Sequence, residues 1–137
     1  MHVTLELVTG ARLVTTHHEA PVAVTLFYSS SDPLAVQLRF PEHISADGEA
    51  ATWTFARSLL AAGLSSGARG GAVQITPRGP DHTRVELSSP QGVARLRFDT
   101  RALHRFLARS HTIVAPAEEV VAAELDHNLG TLFGSAA

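Results

Sequence analysis

The chain has 137 residues, of which 45% are hydrophobic and 18% charged, and its formal net charge is -2 at pH 7. This composition is typical of one folded domain over residues 1–137 and argues against intrinsic disorder. The sequence contains no Cys, which excludes disulfides and thiolate metal sites, and no apolar run reaches the roughly 20 residues of a membrane helix. We therefore expect a soluble, cytoplasmic protein without a membrane span.

The first half of the chain alternates between apolar and polar residues, which predicts strands. The predicted strands cover residues 2–8 with a continuation at 13–15, then 21–28, 34–40 and 51–55. A turn is predicted at 29–33 and a polar loop at 41–49. The strand at 51–55 passes into a helix over residues 56–62, and Gly63 is its predicted C-terminal cap.

The second half repeats this order, because strands are again followed by a helix. A flexible Gly/Ser loop is predicted at 65–71, and further strands are predicted at 72–76, 82–88 and 92–98. Asp99 is a suitable N-cap for a helix that ends near Ser110, and a last helix is predicted from Pro116 to the end of the chain. The pattern predicts an α+β fold of antiparallel sheet with helices packed on one side.

The residue types of catalysis and metal binding do not occur in chemically useful patterns. The 8 His residues include no His-x-x-x-His pair, and no His is placed with carboxylates in a ligand-like pattern. No Gly-x-Ser-x-Gly element is present. The Gly-rich segment 67–71 lacks the Lys-Ser/Thr of a phosphate loop and lies between a helix and a strand, which is the reverse order. We expect no enzymatic activity, no catalytic residue, no cofactor and no bound metal.

All 11 basic residues are Arg, and the last five in the chain follow a pattern. Arg95 and Arg97 share one face of a predicted strand, while Arg101, Arg105 and Arg109 follow at spacing four along the next helix. Two interpretations stay open: a solvated face, or a docking surface for an acidic partner. Since the planar Arg fork pairs well with carboxylates, Arg101, Arg105 and Arg109 are our candidate partner-binding residues.

Four segments resemble motifs of the SsgA-like proteins of sporulating actinomycetes. Residues 28–36 (Tyr-Ser-Ser-Ser-Asp-Pro-Leu-Ala-Val) are similar to Tyr-x-x-x-Asp-Pro-Tyr-Ala-Val, and residues 53–64 (Trp-Thr-Phe-Ala-Arg-Ser-Leu-Leu-Ala-Ala-Gly-Leu) to Trp-x-Phe-(Ala/Gly)-Arg-x-Leu-Leu-x-x-Gly. Residues 71–75 are similar to Gly-Asp-Val-Arg-(Ile/Val), and 105–111 contain a counterpart of Phe-Leu-x-Arg-Thr-Asp. The agreement extends over residues 3–133. The Phe-Ala-Arg form of the helix start and the segment 87–92 favour the SsgB-type branch.

This resemblance implies a non-catalytic protein of sporulation-specific cell division that acts at the division septum. It implies a Whirly-like fold, homo-oligomers such as trimers, and FtsZ or other SsgA-like proteins as partners. Our leading hypothesis is therefore a protein-binding module that helps recruit or position FtsZ and the septum machinery. The alternative is single-stranded nucleic-acid binding, which Whirly-like proteins perform. The sequence argues against it, because such binders need a basic groove interleaved with aromatics, whereas aromatics make up only 6% here.

Overall fold

The computed structural model describes residues 2–41 and 51–118. Its elements in chain order are β1 (Thr4–Val14), β2 (Glu19–Ser29), β3 (Asp32–Phe40), β4 (Ala51–Ala56), α1 (Arg57–Ser66), β5 (Ala68–Gly70), β6 (Val73–Arg78), β7 (His82–Ser89), β8 (Gly92–Asp99) and α2 (Thr100–Ile113). The described part of the chain thus consists of two successive units, each of four strands and a helix. The α+β prediction of antiparallel sheet with helices is confirmed.

The strands form one antiparallel sheet in the order β4-β3-β2-β1-β8-β7-β6-β5, so the two units meet where β1 pairs with β8. The connection through α1 carries the chain from one edge strand to the other. Since α1 packs against both β4 and β5, it lies across the space between the two edges and gives the sheet a nearly closed, barrel-like form. Helix α2 packs against β1, β8 and α1 on the same side of the sheet.

The core lies on the face of the sheet that the two helices cover. Period-two alternation places one set of side chains inside, and the following are buried as the alternation predicts: Val22, Val24, Leu26, Tyr28, Val36, Leu38 and Phe40. Helix α2 buries Leu103, Phe106 and Leu107, which confirms its predicted apolar stripe. Each such Leu or Phe contributes about 1.5–3 kcal/mol when fully buried, so α2 is held firmly against the sheet.

The predicted end of the first helix is wrong. Gly63 lies inside α1, which continues to Ser66, and the actual C-cap is Gly67 with φ 87°. A Cβ at position 63 would lie 2.4 Å from Cβ of Ile75. Gly63 is therefore explained by the close approach of α1 to β6 rather than by a left-handed cap.

The predicted loop at 65–71 is also wrong, because Ala68–Gly70 forms the edge strand β5 and pairs with β6. The predicted gap between the strand at 2–8 and its continuation at 13–15 does not occur, and β1 pairs with β2 without interruption over its whole length. Residues 116–118 are helical, in agreement with a helix starting at Pro116. The rest of that predicted helix, and the loop from residue 42 onwards, lie outside the described residues.

Candidate protein-docking surface

Helix α2 presents a row of arginines on the side that faces away from the core. The helix begins at its predicted cap, since Oδ1 of Asp99 accepts a hydrogen bond from the Arg101 amide at 2.9 Å. Its inner side is buried, whereas Arg101, Arg105 and Arg109 are all exposed. We call these three residues the helix arginine stripe.

Within residues 2–41 and 51–118, none of the stripe arginines forms an ion pair. Like charges at spacing four destabilise a helix by a few tenths of a kcal/mol per pair. The guanidinium donors of the stripe are therefore directed to solvent, and the repulsion between them slightly lowers the stability of the helix. Both interpretations of the pattern, a solvated face and a docking surface, are compatible with this geometry.

Arg95 and Arg97 share a strand face, as the sequence predicts, but their side chains are engaged with carboxylates. Arg97 makes a bidentate pair with Glu19, with both N–O distances 3.0 Å, and Nε of Arg95 lies 3.2 Å from Oε1 of Glu86. The neighbours of Arg97 in the strand, Leu96 and Phe98, are buried in the core. Arg95 and Arg97 consequently lie on the outer face of the sheet, opposite to the core.

A cleft of about 920 Å³ at the start of α2 brings the sheet and the helix stripe together. Its charged and imidazole-bearing residues are Arg12, Asp81, His82, Arg97, Asp99, Arg101 and His104. Arg97 and Arg101 thus border the same space, whereas Arg105 and Arg109 lie outside it. The sequence pattern suggests one row of five arginines, and the structure divides it into a helix part and a sheet part that meet at this cleft.

A buried arginine fixes the position of α2. Arg57 is fully buried, and its Nη1 donates to the carbonyl oxygens of Ser110 at 3.0 Å and Val114 at 2.8 Å. Its guanidinium also lies 5.0 Å from the ring centroid of Tyr28. Sequence reasoning did not find this role. Arg57 is the one charged residue of α1, but no local pattern in the sequence indicates that it is buried.

No three His, Cys, Asp or Glu side chains of residues 2–41 and 51–118 are grouped so that they could hold a metal ion. None of the helices in the same part of the chain has the length and hydropathy needed to cross a membrane. The fold and the surface define a small α+β protein that displays arginines on a firmly anchored helix.

Comparison with known proteins supplies the family. The profile of "Streptomyces sporulation and cell division protein, SsgA" matches residues 22–119. The sporulation-specific cell division protein SsgB of Salinispora tropica is 41% identical over 128 residues, covering 90% of this chain and 88% of the relative. The chain belongs to the SsgA family of sporulation and cell division proteins. The predicted resemblance is confirmed, and the homologues are named as division proteins rather than as enzymes.

Two solved structures share the fold. One comes from a study of SsgB mutations that correlate to longitudinal cell division during sporulation of Streptomyces coelicolor. It matches with a TM-score of 0.75 and 36% identity, covering 87% of this chain and 94% of the other. An SsgA-like sporulation-specific cell division protein from Thermobifida fusca matches with a TM-score of 0.74 and 29% identity, covering 97% and 96%. The relatives named SsgB agree with the SsgB-type branch favoured by the sequence.

Proposed function

We propose that this chain is a non-catalytic protein-binding module of sporulation-specific cell division, which helps to recruit or position FtsZ and the septum machinery. The observation that carries the proposal is the helix arginine stripe on the exposed side of α2. Family membership supports the role in division. The stripe supplies the chemistry, because Arg forks bind carboxylates in a bidentate manner and are enriched at protein interfaces.

The anchoring of α2 suits this role. Arg57 and the buried apolar side of the helix hold the backbone of α2 in place, so little conformational freedom of the backbone is lost when a partner binds. A partner that presents carboxylates at the spacing of one helical turn would complement the stripe. Such binding should associate faster at low ionic strength, since exposed charges are screened by salt.

Self-association is part of the same proposal. By resemblance we expect a homo-oligomer such as a trimer, and other SsgA-like proteins are further candidate partners at the septum. Sheet edges favour such contacts, because an edge strand has backbone groups that can pair with another chain. Light scattering of the purified chain measures this directly, and a strictly monomeric protein at micromolar concentration would contradict it.

The decisive experiment measures binding of the purified chain to FtsZ from the same organism. The test variant is Arg101→Gln, Arg105→Gln and Arg109→Gln combined, which removes three positive charges from α2. The matched control places Glu at Ser58, Ala62 and Ser65 on the exposed side of α1 and changes the net charge by the same amount. We expect the first variant to lose FtsZ binding and the second to retain it. Equal binding by all three proteins would overturn the assignment of the stripe.

Single-stranded nucleic-acid binding through a Whirly-like fold remains the second candidate, and the arginines on the outer face of the sheet favour it. The aromatic residues argue against it. Within the described chain only Phe27 and Trp53 are partly exposed aromatics, and Phe27 is covered by Arg39 at 3.8 Å from its ring centroid. Non-specific binders stack bases on exposed rings. Titration of a labelled oligonucleotide at two salt concentrations tests this, and tight binding with a steep salt dependence would favour the alternative.

A further inference from the structure

The outer face of the sheet carries a second group of arginines, which the helix stripe does not explain. Arg97 in β8 lies directly opposite Arg12 in β1 on one side and Arg84 in β7 on the other. Three like charges therefore stand in register on three adjacent strands, an arrangement that destabilises a sheet. Arg95 lies on the same face of β8, and Arg78 borders the same cleft of about 290 Å³ as Arg84, Arg95 and Arg97.

Two carboxylates offset part of this charge, and each is shared by two arginines. Glu19 binds Arg97 through both oxygens at 3.0 Å and lies 3.7 Å from Nε of Arg12. Glu86 lies 3.4 Å from Nη1 of Arg84 and 3.2 Å from Nε of Arg95.

We call the five residues Arg12, Arg78, Arg84, Arg95 and Arg97 the sheet arginine cluster. With Glu19 and Glu86 subtracted, the cluster has a formal surplus of three positive charges. Arg78 has no ion-pair partner among the described residues.

We propose that the sheet arginine cluster binds an acidic segment of a partner protein, on the outer face of the sheet, a surface that meets the helix arginine stripe only at Arg101. The arginine side chains remain accessible, because those of Arg12, Arg95 and Arg97 are 47%, 54% and 38% exposed. More guanidinium donors are present than Glu19 and Glu86 can satisfy. The cluster therefore has donors for at least one further carboxylate, and a segment with several Glu or Asp residues would use them.

A protein segment fits this surface better than a nucleic acid does. Glu19 and Glu86 lie among the arginines and would repel a continuous row of phosphates. The cleft lining contains no aromatic side chain on which a base could stack. A flexible peptide can instead place its carboxylates at positions that avoid Glu19 and Glu86. Each peptide carboxylate can then bind one Arg fork in a bidentate manner.

The two glutamates give the proposal a specific signature. They occupy guanidinium donors that an incoming carboxylate would use, so they compete with the partner. Removing them should strengthen binding, whereas removing arginines should weaken it. A surface that attracts acidic peptides only through the overall field of the protein would respond to net charge, wherever on the molecule that charge is changed.

The test uses a fluorescein-labelled peptide of alternating Glu and Gly and measures its anisotropy against the full chain. We expect Arg84→Gln with Arg97→Gln to weaken binding by about tenfold, as loss of close charge pairs does. Arg105→Gln with Arg109→Gln removes the same charge from the part of the helix stripe that lies outside the cleft, and should have little effect. If the helix variant loses binding and the sheet variant keeps it, the proposal is overturned.

The glutamates are tested in the same assay. Glu19→Gln with Glu86→Gln should strengthen binding at least severalfold, and the control Glu6→Gln with Glu118→Gln, which changes net charge equally, should not. Equal strengthening by both pairs would overturn the specific site. Urea unfolding confirms that each variant is folded at the assay temperature. If the Arg84→Gln, Arg97→Gln double variant is unfolded, the single variant Arg84→Gln replaces it in the binding assay. A labelled oligo-dT that binds this cluster more tightly than the peptide would also overturn the proposal. None of these outcomes depends on FtsZ, so failure here is distinguishable from failure of the proposed function.

Discussion

Arg57 and Val114, which are 57 positions apart in the chain, are joined by a buried hydrogen bond of 2.8 Å from Nη1 to the carbonyl oxygen. The same nitrogen donates to the carbonyl oxygen of Ser110 at 3.0 Å. The Ser110 carbonyl also accepts the Val114 amide at 3.0 Å, so Arg57 adds a second, charged donor there. The negative end of the helix dipole favours such a cation. The first residue of α1 thus binds the end of α2 and fixes the helix that carries the arginine stripe.

Replacing Arg57 by Met should lower the free energy of unfolding by about 2–3 kcal/mol, because buried carbonyl groups lose a charged donor. Arg57→Lys should lose less, since it retains the charge without the planar fork. Urea denaturation measures both. Arg69→Met changes an exposed arginine of β5 and is the control, for which we expect a change within about 0.5 kcal/mol. An unaltered midpoint for Arg57→Met would contradict the anchoring role.

Gly63 and Ile75 provide the second contact on which the fold depends. Ala normally stabilises a helix relative to Gly by about 1 kcal/mol. Here the new Cβ would lie 2.4 Å from the Ile75 Cβ, so α1 and β6 must move apart. We expect Gly63→Ala to destabilise the protein by about 1–3 kcal/mol in urea unfolding, as overpacking does.

The control for Gly63→Ala is Gly10→Ala in β1. No atom lies within 4 Å of a Cβ built at position 10, and its φ lies outside the left-handed region. Gly10→Ala should be neutral or slightly stabilising, since it restricts the unfolded chain. If both substitutions had the same effect, the close approach of α1 and β6 would not explain Gly63.

The sequence predicts those helices and strands in which apolar residues recur at a regular spacing. The alternation of Val22, Val24, Leu26 and Tyr28 identifies both the strand and its buried face, and Asp99 correctly marks the start of α2. Gly63 misleads because a glycine at the end of a helical pattern is usually a cap. Its actual reason is Ile75 on a later strand, which no local pattern reveals.

The sheet arginine cluster could not be predicted for a related reason. Arg12, Arg84 and Arg97 are widely separated in the sequence and become neighbours only through the register of β1, β7 and β8. The helix stripe was visible because its spacing follows the helical repeat. Arg57 could not be distinguished from an exposed arginine, since its burial depends on contacts with α2.

Tyr28 extends the connection from Arg57 to the start of β3. Its ring lies beneath the Arg57 guanidinium, and its hydroxyl donates to the carbonyl oxygen of Pro33 at 3.0 Å. Tyr28→Phe retains the ring and removes the hydrogen bond, so we expect a loss of about 1 kcal/mol in urea unfolding. Thr16→Val removes an exposed hydroxyl and should leave stability within about 0.5 kcal/mol. A loss of similar size in Thr16→Val would show that the effect is not specific to the Tyr28 contact.

The helix arginine stripe should have a measurable effect on stability. Arg105 has an arginine four residues before it and another four residues after it, and each such pair is unfavourable by a few tenths of a kcal/mol. Arg105→Gln relieves both pairs with little change in helix propensity. We therefore expect a small increase in the urea midpoint at low ionic strength, which becomes smaller near 0.5 M salt because exposed charges are screened. Arg69→Gln, outside the helix, is the control and should not show this dependence.

A variant that is more stable yet binds FtsZ less well would indicate that the stripe serves binding at the expense of stability. No gain in stability at low salt would mean that the three guanidinium groups do not repel one another as the geometry implies.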